Sequence, residues 1–235
     1  MARPKEIDYK LYRAKQHYEE LERELQQWWA SNPGHMVPAP ESTAEYPLVI
    51  FATKEPIPAR FGLIAGDYLQ NLRSVLDYLI WQLVLANKGK PSRSNAFPVC
   101  TTAGAYQQAL DRGRLNGVAE EAKDVIRTLQ PAFMPPRTNP SAIQVLDELT
   151  NENKHRTPLL TTLVSTLKPE EPYPFRYMEF EIVRIRSGQA TPGERITAFV
   201  AFDHPLVHSL EVMAILDALY IDVAIDTLPK FDQFF

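Results

Sequence analysis

The sequence predicts an α+β protein, mainly a helical bundle of four to five main helices with a small antiparallel β-sheet. Three observations predict it. A narrow apolar seam opens the chain, and a second long amphipathic run follows a proline-rich connector. Two β-prone runs then flank a Gly/Pro turn ahead of an apolar C-terminal stretch.

The first helix is expected over residues 7–29. Ile7, Leu11, Ala14, Tyr18, Leu21, Leu25 and Trp28 recur at alternating spacings of four and three, while Glu19, Glu20, Glu22, Arg23 and Glu24 face water. Such a seam packs either on its own domain or on a second copy. Residues 31–47 read as a connector, since Asn32-Pro33-Gly34 stops the helix and Pro38, Pro40 and Pro47 follow. Residues 48–52 form a short β-prone run, which Pro56 and Pro58 end.

A second helix is expected from Gly62 or Asp67 to Asn87, closed by Lys88-Gly89-Lys90-Pro91. Residues 96–100 read as a short edge strand, because Pro98 removes a backbone donor. Short helices are expected over 103–110 and 119–129, and then Pro131, Pro135, Pro136 and Pro140 stiffen a loop. Ser141 is a helix cap by residue type for a helix ending near Arg156. Residues 175–186 and 194–202 alternate as strands, with 187–193 supplying hairpin turn chemistry. The last helix is expected from Asp203, as its cap, to about Thr227, and it is apolar nearly all round.

Composition narrows the function classes. With 45% hydrophobic and 23% charged residues over 235 positions, one folded domain over 1–235 is expected and global disorder is not. A net charge of −4 gives no global nucleic-acid footprint, although a local basic patch is compatible with it. The apolar stretch 206–228 is broken by Glu211, Asp217, Asp222 and Asp226, against a membrane span. The single cysteine, Cys100, excludes an intrachain disulfide and fits a cytoplasmic, reducing compartment; it reads as a small buried residue. No Gly-rich phosphate loop appears, and no cofactor is expected. His204 and His208 lie four apart near Asp203 and Glu211, but they read as helix-start residues, so no metal site is assigned.

Two polar helix faces stand out. Opposite its leucine-rich face, the second helix carries Asn71, Arg73, Ser74, Asp77, Tyr78 and Trp81. A solvated face normally carries Lys and Glu; these short polar groups favour fixed hydrogen bonds, and Arg73 and Asp77 are spaced for an ion pair. The helix after Ser141 stacks Asp147, Asn151 and Lys154 on one side, with His155 beside them. Two readings follow: a structural network in which Asp147 and Asn151 satisfy Arg73, or one shared functional site.

The strings Gly66-Asp67-Tyr68-Leu69-Gln70-Asn71-Leu72-Arg73-Ser74-Val75-Leu76-Asp77-Tyr78 and Asp147-Glu148-Leu149-Thr150-Asn151-Glu152-Asn153-Lys154-His155-Arg156 resemble an uncharacterised bacterial family. More loosely, Arg73 and the position four residues after its neighbour resemble the Arg-x4-6-His signature of HEPN domains. These are helical bundles that include metal-independent ribonucleases, often facing a dimer mate. Here the histidine position is Tyr78, and a phenol with a pKa near about 10 is a poor base at neutral pH. The resemblance implies a homodimer acting on RNA in stress or phage defence, with Arg73, Tyr78, Lys154 and His155 as the catalytic set. Asn71, Asp77, Asp147 and Asn151 would form the supporting network. A non-catalytic interaction module and a small-molecule binder or enzyme are the alternatives.

Overall fold

A computed structural model describes residues 4–40, 49–135, 140–153, 160–165, 177–181, 184–186, 189–191, 195–207 and 210–235. Its architecture is α+β and mainly helical. Helix α1, Lys5–Ala30, and helix α2, Ala59–Ala86, form an antiparallel pair. Lys10 lies by the Tyr78 ring, Tyr18 by Tyr68 (6.3 Å between rings) and Trp28 by Phe61 (6.1 Å), so one numbering rises as the other falls. The seam residues Ile7, Leu11, Ala14, Leu21 and Leu25 are all buried against this partner. Of the two readings of that seam, the chain therefore uses it internally.

Between α1 and α2 lie two antiparallel strands, β1 (Gly34–Pro38) and β2 (Val49–Thr53), paired from Gly34↔Thr53 to Pro38↔Val49. The connector reading of 31–47 is corrected here. Gly34 permits the close pairing, since a Cβ there would collide with the Ala52 carbonyl, and Pro38 sits at the strand's end, where a missing donor costs least.

Helices α3 (Ala103–Asp111), α4 (Glu120–Thr128) and α5 (Ala142–Asn153) follow. Thr102 caps α3 by accepting from Ala105 N–H at 3.1 Å, and Ser141 accepts from Gln144 N–H at 3.3 Å at the start of α5. Residues 96–100 form no strand, contrary to the sequence expectation. Their backbone groups are met by side chains and by single backbone bonds, detailed below.

A three-stranded antiparallel sheet comes next, in the order β3 (Leu160–Ser165), β7 (Arg195–Phe202), β4 (Tyr177–Glu181). A separate short pair, β5 (Arg184–Arg186) and β6 (Gln189–Thr191), lies in the connection from β4 to β7. The expected hairpin therefore exists with a smaller hairpin inside its loop. At its C-terminal end β7 is covered on both faces: Ala198, Phe199, Val200, Ala201 and Phe202 are all buried.

Asp203 is not the cap of the last helix. Residues 203–207 form a bend and turn; Glu211 caps instead, accepting from Ala214 N–H at 2.8 Å. Helix α6 spans Val212–Tyr220, widens into a π-helical segment, Ile221–Thr227, and tightens into a 3₁₀ segment, Leu228–Phe234. Pro229 has no N–H to donate, which favours such a change of hydrogen-bond pattern. The buried apolar residues of α1, α2, α5, α6 and the C-terminal segments form one contiguous cluster with those of β7. No helix among the described residues is long and apolar enough to cross a membrane.

Candidate functional site

The two helices singled out by sequence meet. Arg73 of α2 is only 8% exposed, and its guanidinium is engaged on three sides. Nη1 donates to Asp77 Oδ1 at 3.0 Å, Nη2 donates to the Phe97 carbonyl at 2.7 Å, and Nε lies 3.3 Å from Asp147 Oδ1. Asp77 Oδ1 also accepts the Phe97 N–H at 2.9 Å. Residues one helical turn apart thus take both backbone groups of Phe97, as a neighbouring strand would. Asp147 is held on its other oxygen, where Asn151 Nδ2 donates at 3.0 Å.

The rest of segment 96–100 is fixed in the same manner. Ala96 N–H donates to the Arg114 carbonyl at 3.2 Å, and Cys100 N–H donates to Gln130 Oε1 at 3.1 Å. The Cys100 carbonyl accepts from Ala132 N–H at 2.9 Å. Gln130 is fully buried and gives its Nε2 to the Ile126 carbonyl at 3.0 Å. An unpaired buried amide or carbonyl costs about 1–3 kcal/mol, so these pairings let the segment run extended through the protein without a sheet.

Not every predicted residue joins this cluster. The structure brings together Arg73, Asp77, Asp147 and Asn151. Asn71 donates instead to the Asp67 carbonyl of its own helix at 2.8 Å, as Ser74 does to Gln70 at 2.7 Å. Tyr78 is 40% exposed and lines a second hollow of about 470 Å³ with Asp77, Trp81, Gln82, Glu6 and Asn95. Lys154 and His155 lie outside the described residues. His204 precedes α6, its Nε2 3.7 Å from Glu152 Oε2, and His208 lies outside the described residues.

Arg73, Asp147 and Asn151 line a polar hollow of about 300 Å³ together with Gln108, Arg112 and Arg114. Sequence reading passed over these last three. The signal was present as Arg112-Gly113-Arg114 directly after α3, a glycine between two like charges. Cys100 also lines this hollow, yet it is buried, and burial pushes its thiol pKa up. The Asp147 charge adds to that rise and the Arg114 charge opposes it.

Among the described residues, the carboxylates beside Arg73, Asp77 and Asp147, are both paired with it. The arrangement presents fixed positive charge and amide donors around an open volume. Comparisons with protein-family models, with curated proteins and with solved structures find no match, so this geometry stands by itself as the guide to function.

Proposed function

We propose that this chain is a non-catalytic, HEPN-like helical binding protein. The Arg73 cluster fixes its scaffold, and the hollow beside that cluster receives a ligand. The observation that carries the reading is that each nitrogen of Arg73 already holds a partner inside the protein: Asp77 at Nη1, the Phe97 carbonyl at Nη2 and Asp147 at Nε.

A metal-independent ribonuclease needs a cation left over for the developing phosphorane charge and a titrating group at the same point. Arg73 is paired with two carboxylates inside the protein, which offset its charge, and Tyr78 lines the other hollow. Both facts favour holding over cleaving. The test is incubation of the purified chain with single-stranded RNA of mixed sequence. No cleavage above a buffer control is expected. Cleavage that disappears in Arg73→Lys, with the helical circular dichroism unchanged, would sink the reading.

A homodimer is the second part of the proposal, and the exposed face of the last helical stretch favours it. Ile221 and Ile225, 51% and 60% exposed, lie four residues apart in its π-helical segment. Light scattering is expected to return twice the mass of one chain, and Ile225→Glu to halve it. A monomeric wild-type chain would remove this part. The lone cysteine fits a reducing, cytoplasmic setting.

A further inference from the structure

We infer that the hollow between α3 and α5 is a binding site for a small oxyanion, the phosphate or carboxylate of a small molecule, gripped by Arg112 and Arg114. This inference rests on the binding reading above and names its ligand class.

Charge is the first ground. Three guanidinium groups and one carboxylate line this hollow, in a chain whose net charge is −4. A chance depression on an acidic protein would carry the opposite balance. Arg73 and Asp147 neutralise each other at the base. Arg112 and Arg114 are both exposed, and neither guanidinium has a hydrogen-bond or ion-pair partner among the described residues. Arg60 and Arg73, by contrast, are paired to Glu24 and to Asp77 and Asp147.

Rigidity is the second ground. A solvated loop would carry its arginines loosely, whereas this one is tied down. Asn95 Nδ2 donates to the Asn116 carbonyl at 2.9 Å and to the Arg114 carbonyl at 3.3 Å. The Ala96 N–H also donates to the Arg114 carbonyl, and Gly113 between the two arginines has φ of +77°. Only glycine adopts that backbone readily, so the two arginines diverge from a turn of fixed shape. Prearranged donors spare a ligand part of the ordering cost of binding.

Chemistry is the third ground. Guanidinium forks match the paired oxygens of carboxylates and phosphates, and the side-chain amides of Gln108 and Asn151 border the same space. A volume of about 300 Å³ suits a small molecule. Arg114 and Cys100 both line the hollow.

The experiment is calorimetric titration of the whole chain at pH 7 and constant ionic strength, with inorganic phosphate in one arm and succinate in another. Sodium chloride is the blank. Saturable binding in at least one arm is expected, and the stronger arm identifies phosphate or carboxylate as the preferred group. Arg112→Gln and Arg114→Gln are each expected to weaken it about tenfold. Gly113→Ala, which keeps both arginines but strains their turn, is also expected to weaken binding, and thermal melts confirm that each variant is folded. No saturation in either arm, or undiminished binding in the double Gln variant, overturns the inference. So does a mixed-sequence oligoribonucleotide that binds a hundredfold more tightly than phosphate through the same arginines. RNA cleavage would instead sink the non-catalytic reading, so the two failures are distinguishable.

Discussion

Gly66 of α2 is in direct contact with Asn153 of α5: a Cβ placed at Gly66 would lie 2.8 Å from both Cγ and Nδ2 of Asn153. Together with the pair Arg73–Asp147, this contact fixes α2 and α5 as antiparallel neighbours at two levels. Gly66→Ala is expected to destabilise the protein by about 1 kcal/mol, since overpacking (about 1–3 kcal/mol) outweighs the helix-propensity gain of about 1 kcal/mol. In an Asn153→Ala background the collision is gone, and the same substitution is expected to stabilise. Urea unfolding of the four variants measures the coupling; additive effects would show that Asn153 does not cause the collision.

Removing the guanidinium from the centre of the network leaves Asp147 and the Phe97 carbonyl without their partner. Arg73→Ala is expected to cost about 3 kcal/mol in chemical denaturation, and Arg73→Lys nearly as much, because an ammonium cannot reach three acceptors in a planar fork. A loss below about 0.5 kcal/mol, the level of an exposed ion pair, would show that the network contributes little.

Cys100 provides a pH-dependent probe of segment 96–100. Burial, followed by the Asp147 charge, raises its pKa in the folded protein, so less thiolate is present at neutral pH. Alkylation by iodoacetamide is expected to be slow at pH 7 and to accelerate with a midpoint above that of free cysteine. Gln130→Ala, which strands the Cys100 N–H, is expected to quicken labelling by loosening the segment. A midpoint at or below the free thiol value would contradict this placement.

Tyr68 makes the protein sensitive to alkali. It is buried, donates its hydroxyl to the Leu216 carbonyl at 2.7 Å, and has its pKa raised by burial and then by the Asp217 charge. The folded state thus holds the proton more tightly than the unfolded chain does. The stability it contributes is complete below the unfolded tyrosine value near about 10 and falls as pH rises above it. Tyr68→Phe is expected to cost about 1 kcal/mol at pH 7 and to flatten the loss above pH 10. An unchanged alkaline slope would rule out Tyr68 as its origin.

Where periodicity is long, the sequence was a sufficient guide. The seam of α1 and the leucine face of α2 each span enough residues for one hydrophobic face to be unambiguous, whereas β7, read as an alternating strand, is buried on both faces from Ala198 to Phe202. The β1 strand was not legible, because Gly34 and Pro38 read as breakers until β2 supplied a partner. Segment 96–100 erred in the other direction. Its residues suit a strand, but Asp77, Arg73 and Gln130 answer its backbone groups, and side chains so distant in sequence leave no local pattern.

The candidate site divides along the same line. That Arg73, Asp77, Asp147 and Asn151 belong to one polar cluster was readable from their residue types and helical spacing, since short polar groups on a half-buried face demand fixed partners. Tyr78 lines a different hollow from Arg73, one that it shares with Asp77 and Trp81. That Arg112 and Arg114 confront the cluster was decided by tertiary structure, through a turn held by Asn95. The sequence by itself determined which faces had to be buried and which polar groups required partners, because desolvation is charged to each residue type. Only the tertiary structure decided which partners they found, and left two arginines without a partner among the described residues, beside an open volume.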